Sequence, residues 1–544
     1  MKRVLVIGSG ISGMACAVRC ARHGVHVMLV SPDPSERSQS IMAAGGINAV
    51  IADCDAGDSV ACHIEDTLKG GCYLGGRRAV TGLCENGEEI LKMLVGLGTV
   101  FSVDKQGQPL RRAFGGQTYK RTYYCGASTG KQIVSALVME ARRFEAEGLI
   151  ERRLRCCFHS ALIHDGVCYG ALLYDETANK PEAVLADAVV MATGGQNALF
   201  GKTTGSTQCD GYAEGRLFMQ GAALKNLEFI QFHPTTIETP QKRMLISEAA
   251  RGEGGRLFYE RDGKRIYFME EKYGAKGNLM TRDVISREMG AVKEQVYLDI
   301  SFLGKKLIDE RLPEVRDICA KYGSIDVYTQ PIPVSPSVHF FMGGFAVHSH
   351  HETNIRSLFA VGECASMYHG ANRLGGNSLL AAMYSGGVAA EEIAGRPEVG
   401  RAPDFGKFIS QEYDKMQERQ SADSPFPVMY IRDMLAESMR SHMGIVRDEK
   451  SLDEGISDVE HLLSVAEHLR YDSSVRHYTN YSLTGILTLA RATLQCARSR
   501  KESRGAHYRS DAPKTSDEYG FSTIITYDGG SYNVRLDKEH EYES

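Results

Sequence analysis

The sequence predicts an α/β fold: a parallel sheet of the Rossmann type, interrupted by an inserted segment and followed by a helical one. Three observations predict it. The chain opens on a strand, glycine turn, helix and strand over Val4–Val30. Two later apolar runs end at glycines. Beyond about Gly395 the glycine density falls and charged, helix-like periodicity takes over.

Val4-Leu5-Val6-Ile7 is a short buried strand, Met14 to His23 reads as helix, and Gly24 stops it. Val25, Val27 and Leu29 then alternate as a second strand. A βαβ opening implies a parallel sheet. Ala188 to Ala192, ending in Thr193-Gly194-Gly195, and Leu358 to Val361, ending in Gly362-Glu363, read as further strands of that sheet. Their glycines fall at the C-terminal ends, where open α/β sheets bind ligands. The segment between them, beginning Glu228-Phe229-Ile230-Gln231-Phe232-His233-Pro234, reads as an inserted domain. Gln411 to Arg500 reads as helical, and the end past Asp511 as polar and irregular.

A chain of 544 residues suggests two to four domains. With 43% hydrophobic and 24% charged residues, its composition is that of an ordinary soluble protein. The formal net charge is −5 and there is no basic block, so nucleic acid is not an expected partner. No run of 18 apolar residues suggests a membrane span, and the N-terminal apolar run is too short for a signal peptide. The 14 cysteines are scattered without a CxxC pair, so neither an iron–sulfur nor a zinc site is expected in this chain. They read as reduced, mostly buried thiols of a cytosolic protein; a bond between adjacent Cys156 and Cys157 would be strained.

Gly8-x-Gly10-x-x-Gly13 follows a strand and opens a helix. The first glycine permits the tight turn, the second admits a pyrophosphate to the backbone N–H groups, and the third allows close helix–sheet packing. The acidic ribose ligand expected after the second strand is missing. Ser31 sits near that place, with Asp33 and Glu36 close by. That gap weakens an NAD reading more than an FAD one.

Ordered blocks along nearly the whole chain carry a resemblance. They include Gly8 to Gly13, Ala43-Ala44-Gly45-Gly46-Ile47-Asn48, Phe114-Gly115-Gly116-Gln117 and Phe232-His233-Pro234-Thr235. Further blocks are Glu248 to Gly255, Thr281-Arg282-Asp283, His339 to Gly344, His369 to Leu379 and Lys501 to His507. The sequence resembles the succinate dehydrogenase, fumarate reductase and L-aspartate oxidase flavoprotein family. The resemblance implies a Rossmann-like FAD-binding domain over 1–227 and 339–396 and an α+β capping domain over 228–338 that closes over substrate. It implies a helical domain over 397–510 and a C-terminal extension over 511–544.

It further implies hydride transfer between the flavin N5 and a carbon next to a carboxylate of fumarate or succinate. A dicarboxylate needs cations and donors to meet its charges. The family's substrate-binding positions match His233, Thr235, His339 and Arg373 here. Arg282 matches the residue that delivers or removes the proton. Guanidinium, with a pKa above about 12, can serve as an acid only if its proton is replaced at once. The matching relay is Glu248 and Arg251. The bland readings are a local Arg282–Asp283 ion pair and a helical i,i+3 pair for Glu248 and Arg251. By the same matching, Ser38, Gln39, Ser40, Ala44, Gly45 and Gly46 wrap the flavin and Glu363, Ser378 and Leu379 contact it, with Gly194 and Asp210 as further FAD candidates.

Two departures qualify the match. Many family members carry an Arg-Ser-His-Thr run whose histidine is bonded to the flavin; here the run is Arg37-Ser38-Gln39-Ser40, so FAD is expected to bind noncovalently and fumarate reduction to be favoured. L-aspartate oxidases carry a glutamate where Phe114 stands, and an uncharged neighbour suits a substrate without an ammonium group. The competing readings are L-aspartate oxidase, a reductase of another unsaturated carboxylate, and a noncatalytic FAD-binding scaffold. By resemblance an iron–sulfur subunit feeds the flavin, and a membrane anchor could follow it. The chain would then be cytoplasmic and peripheral at the inner face of a membrane.

Overall fold

The structure is a computed structural model that describes residues 2–51, 57–126, 128–240, 242–421 and 426–542. Its central sheet has five strands, all parallel, in the order Leu358–Ala360, Ala188–Met191, Arg3–Ile7, His26–Ser31 and Ile150–Leu154. The two late apolar runs therefore lie beside the opening strand. Val4, Leu5 and Val6 are fully buried, because a central parallel strand is covered on both faces; hence its continuous apolar run.

The first helix, Ile11–Arg22, starts directly after Gly10, earlier than the Met14 of the sequence reading. Gly13 therefore lies in its first turn, where a Cβ would stand 1.9 Å from Gly8 O and 3.1 Å from Ala192 Cβ. The helix packs against Asn377–Gly395. At that crossing a Cβ on Gly386 would meet Ser12 O at 2.5 Å, so the approach of the two backbones depends on glycine.

The inserted segment is built on a six-stranded antiparallel sheet. Its order is Arg243–Leu245, Ile230–Glu238, Ile332–Phe341, Val296–Asp299, Arg256–Arg261 and Lys264–Ile266. It has its own apolar cluster around Ile246, Leu257, Leu298 and Ile332. The main cluster instead joins the parallel sheet to the helices Val428–His442, Glu449–Ala466 and Leu483–Ser499.

Two strands, Ile230–Glu238 and Ile332–Phe341, root the insertion in the rest of the chain, and their register slips twice. Gln231 pairs with Phe340 but Phe232 with Val338, leaving His339 as an extra residue on one strand. His233 pairs with Ser337 and Thr236 with Ser335, so the other strand bulges across Pro234-Thr235. Proline cannot donate to a ladder and is tolerated at such a bulge. Bulges re-aim side chains, and these two turn His233 and His339 toward each other.

The residues past Asp511 correct the expectation of an irregular end. Thr523–Asp528 and Ser531–Leu536 form a hairpin that adds to Leu224–Lys225 in a second sheet. Thr523-Ile524-Ile525-Thr526-Tyr527 is rich in β-branched residues. The turn is Gly529-Gly530, both at positive φ (52° and 96°), as a two-residue hairpin turn requires. Among the described residues no helix is long and apolar enough to cross a membrane.

Candidate active site

A cleft of about 640 Å³ runs from the glycine turn, past the C-terminal ends of the parallel strands, to the base of the inserted segment. Near the turn it is lined by Gly8, Gly10, Ser31, Gly194 and Asp210. In its middle stand Ser38, Gln39, Ser40, Ala44, Gly45 and Gly46, with Glu363, Ser378 and Leu379 opposite. At the far end Phe114, His233, Glu248, Arg282, His339 and Arg373 share the wall. Gly13, Thr235 and Arg251 do not line it. Gly13 packs the helix on the turn, and the Thr235 hydroxyl donates to Ile246 O at 2.8 Å because the bulge turns it away.

The glycine end fits a dinucleotide. Gly8 has φ +109°, and a Cβ there would stand 2.2 Å from Ala192 O. At Gly10 a Cβ would enter the space beside Ser40 Oγ, 3.2 Å away. Ser31, where a ribose-binding acid was expected, accepts from Ser9 Oγ at 3.0 Å and donates to Asp33 O at 2.7 Å. Asp33 lines the cleft, whereas Glu36 lies 4.0 Å from Arg142 and is not part of the lining. The Asp210 carboxylate accepts from Tyr212 N and Tyr478 Oη at 3.1 and 2.9 Å, so it also fastens the helical segment to the sheet. The cleft volume is in the range of cofactor sites.

The far end is built on four charged groups. Arg282 begins the helix Arg282–Ala291 of the inserted segment. Its Nε donates to Glu248 Oε2 at 2.9 Å and its Nη1 to Gln231 Oε1 at 3.0 Å. Asp283, the expected local partner of Arg282, instead accepts from Asn372 Nδ2 at 2.9 Å. Glu248 Oε1 accepts from Gly115 N at 2.7 Å and lies 3.7 Å from Arg251 Nη2. Arg251 is fully enclosed, with Nη1 donating to Asn278 O at 2.7 Å. Arg373 Nη2 donates to the same Gln231 oxygen at 3.0 Å, and its guanidinium lies 4.3 Å from the centre of the Phe340 ring.

Burial and charge together set the protonation of these groups. Burial would raise the Glu248 pKa, but Arg282 and Arg251 outweigh it and hold the carboxyl below its ordinary value. Burial, with Arg282 next, pushes Arg373 down to about 9, so it remains a cation at neutral pH. The rings of His233 and His339 meet edge-on, 5.2 Å between centroids. Burial and Arg282 hold both well below the ordinary histidine value, and so neutral. Burial raises Glu363 to about 7, partly offset by the Phe341 N–H and Arg373.

Three residues were not singled out by sequence. Gln231 gathers both guanidiniums on one oxygen, while its Nε2 donates to Asn372 Oδ1 and Arg373 O at 2.7 and 2.8 Å. That set of partners fixes the amide orientation, since the reverse would point NH₂ at two cations. Its signal was its place two residues before His233 on a strand. Ser247, directly before Glu248, and His369, at the head of the Arg373 loop, also line the cleft.

A family profile described as FAD binding domain matches residues 3–379, and one described as Fumarate reductase flavoprotein C-term matches residues 432–541. The chain is 34% identical to the succinate dehydrogenase flavoprotein subunit of Bacillus subtilis, over 99% of this chain and 96% of that protein. It is also 34% identical to a subunit of the fumarate reductase (CoM/CoB) of Methanothermobacter marburgensis, over 96% of each. Among solved structures it superposes on the E. coli quinol fumarate reductase FrdA with a TM-score of 0.88 and 27% identity, covering 98% of this chain and 97% of that one.

Proposed function

We propose, from the premise that this chain belongs to the succinate dehydrogenase and fumarate reductase flavoprotein family, that it interconverts a four-carbon unsaturated dicarboxylate and its saturated partner. It is an FAD-dependent oxidoreductase of that type. Bound in the cleft, FAD supplies the hydride acceptor or donor.

The observation that carries the substrate reading is the charge balance at the far end of the cleft. Arg251, Arg282 and Arg373 are cations, Glu248 is an anion, and His233 and His339 are neutral. These six groups therefore carry an excess of two positive charges, the complement of one dicarboxylate. Arg373 and the two histidines bind the carboxylates. Phe114 presents no charge, which leaves an amino-substituted substrate without a partner for its ammonium group.

Arg282 exchanges the proton with the reacting carbon. Glu248, hydrogen-bonded to its Nε, takes up the change of charge, and Arg251 on the other carboxylate oxygen resupplies it. The proton given to the carbon offsets the negative charge that the hydride brings to the substrate. The transfers from Arg251 through Glu248 to Arg282 leave the charge of the trio unchanged, and a proton from solvent then restores Arg251, so no uncompensated charge builds up in a buried place. Gln39, whose side chain is an amide, lines the cleft where many family members carry the flavin-linked histidine, and FAD is held noncovalently. Both relatives are named as subunits, which supports partner subunits for this chain; the resemblance implies that one of them is an electron-carrying iron–sulfur protein, with attachment to a membrane only through such partners.

The test is oxidation of a reduced viologen by the flavin-loaded chain with fumarate as acceptor. Rapid fumarate-dependent turnover is expected. A bound, reducible flavin without it would overturn the substrate reading.

A further inference from the structure

The segment Lys501–His507 has no part in the reaction described so far, yet it lies directly behind one of the substrate-binding loops. Ala506 N donates to Ala371 O at 2.9 Å, and Ala371 N donates to Gly71 O at 2.9 Å, so Ala371 is gripped from both sides. Gly505 has φ +54°, and a Cβ there would stand 2.6 Å from Ala371 O and 2.8 Å from Ala371 Cβ. Ala371 is two residues before Arg373, in the loop whose His369 and Arg373 side chains line the cleft.

The gripping segment is itself held by buried charges. Glu502 accepts from Arg500 Nη1 at 2.9 Å, from Arg504 Nε at 2.7 Å and from Ser516 N at 2.8 Å. Arg500 Nε also donates to Glu228 Oε1 at 2.6 Å, and Arg447 Nη1 donates to Glu228 O at 2.7 Å. Glu228, Arg447, Arg500, Glu502 and His507 are fully buried. Glu228 precedes the strand that carries Gln231 and His233. One buried cluster thus anchors both the His233 strand and the segment that grips the Arg373 loop. Buried ion clusters add little stability over apolar packing of the same volume, so stability is a weak account of this one.

We propose that Gly505 and Ala506 are positioning residues for substrate binding: they fix the backbone of Ala371, and through it the distance of Arg373 from His233. The proposal rests on the dicarboxylate reading above. It is tested by double-mutant cycles on the flavin-loaded full-length chain with Gly505→Ala and Arg373→Lys. The readouts are kcat and KM for fumarate and the dissociation constant of malonate, a nonreacting dicarboxylate followed through the flavin spectrum.

In Gly505→Ala, flavin content is expected to hold while KM and the malonate constant rise together by about tenfold or more, since displacements near 1 Å have effects of that order. In the Arg373→Lys background the same substitution is expected to add less than about threefold, because residues acting through one another are not additive. Full additivity in the double variant, or an unchanged KM in Gly505→Ala, would overturn the proposal. If Gly505→Ala does not accumulate with flavin, Ala371→Gly loosens the same grip and is judged by the same coupling. Wild-type protein that neither turns over fumarate nor binds malonate would instead overturn the reading on which the proposal rests.

Discussion

Glu248 stands between two guanidiniums, accepting from Arg282 Nε at 2.9 Å on one oxygen and lying 3.7 Å from Arg251 Nη2 on the other. The unequal distances give the two arginines different parts. The short bond to Glu248 orients Arg282, the proposed proton-exchanging group, and Arg251 at the longer distance is the proposed source of the replacement proton. Glu248→Gln keeps an acceptor for Arg282 but cannot take up a proton. Its kcat for fumarate is expected to fall roughly 10²- to 10³-fold, the size of a lost general acid–base step, with KM within about threefold. Steady-state kinetics on protein of equal flavin content checks this. A KM effect without a kcat effect would move Glu248 from the relay to substrate binding.

Gln39 gives a prediction that needs no turnover. A carboxamide has no nucleophilic ring nitrogen to bond the flavin, so acid precipitation of the protein is expected to release all the flavin into the supernatant, where its absorbance is measured. Flavin retained in the pellet would mean that another side chain of the cleft forms the link.

The fold was legible because its signals are local. A strand, a Gly8-x-Gly10-x-x-Gly13 turn and a helix can be read in one window, and glycines mark the ends of the strands at Met191 and Ala360. The hairpin after Asp511 was missed: its signal, Ile524-Ile525 and Gly529-Gly530, is short and lies among polar residues, so the segment read as irregular. The meeting of Arg282, Glu248 and Arg373 rests on residues far apart in sequence, and only the resemblance brought them together. Thr235 and Gln231 show what neither route supplies. Strand alternation puts Gln231, His233 and Thr235 on one face, yet the bulge at Pro234-Thr235 sends the Thr235 hydroxyl to Ile246 O. A bulge depends on the partner strand, which sequence does not display.

Phe114 packs against the loop before the helix Asn377–Gly395; a Cβ on Gly375 would touch its Cβ at 2.8 Å. It shares the cleft wall with Arg282 and Arg373. Phe114→Glu adds a negative charge where the proposed substrate places its carboxylates, and like charges brought together in an interface cost several kcal/mol. The KM for fumarate is expected to rise about tenfold or more in flavin-loaded protein. Wild-type protein is expected to show no L-aspartate oxidation in a product assay. Measurable aspartate turnover by the wild type would favour the oxidase reading instead.

His63 provides a pH prediction that is independent of catalysis. It is fully buried, with Nε2 3.0 Å from Asn377 Oδ1 at the start of the helix that carries Ser378 and Leu379. Burial lowers its pKa to about 4; the hydrogen bond to Asn377 opposes this and Arg121 adds to it. Its ordinary value is near 6.5. Between about 6.5 and 4 the unfolded chain therefore binds a proton that the folded chain refuses, and stability falls as pH falls; above 7 the group contributes no slope. His63→Gln keeps a side chain able to donate to Asn377 but has no such proton. Whatever the stability of the variant at pH 7.5, its difference from wild type is expected to shift in the variant's favour by about 2 kcal/mol on going to pH 5. Urea unfolding of both flavin-loaded proteins at the two pH values measures this. Other buried acids and histidines titrate alike in both proteins and cancel in the difference, so a shift near zero would mean that His63 keeps an ordinary pKa in the folded chain.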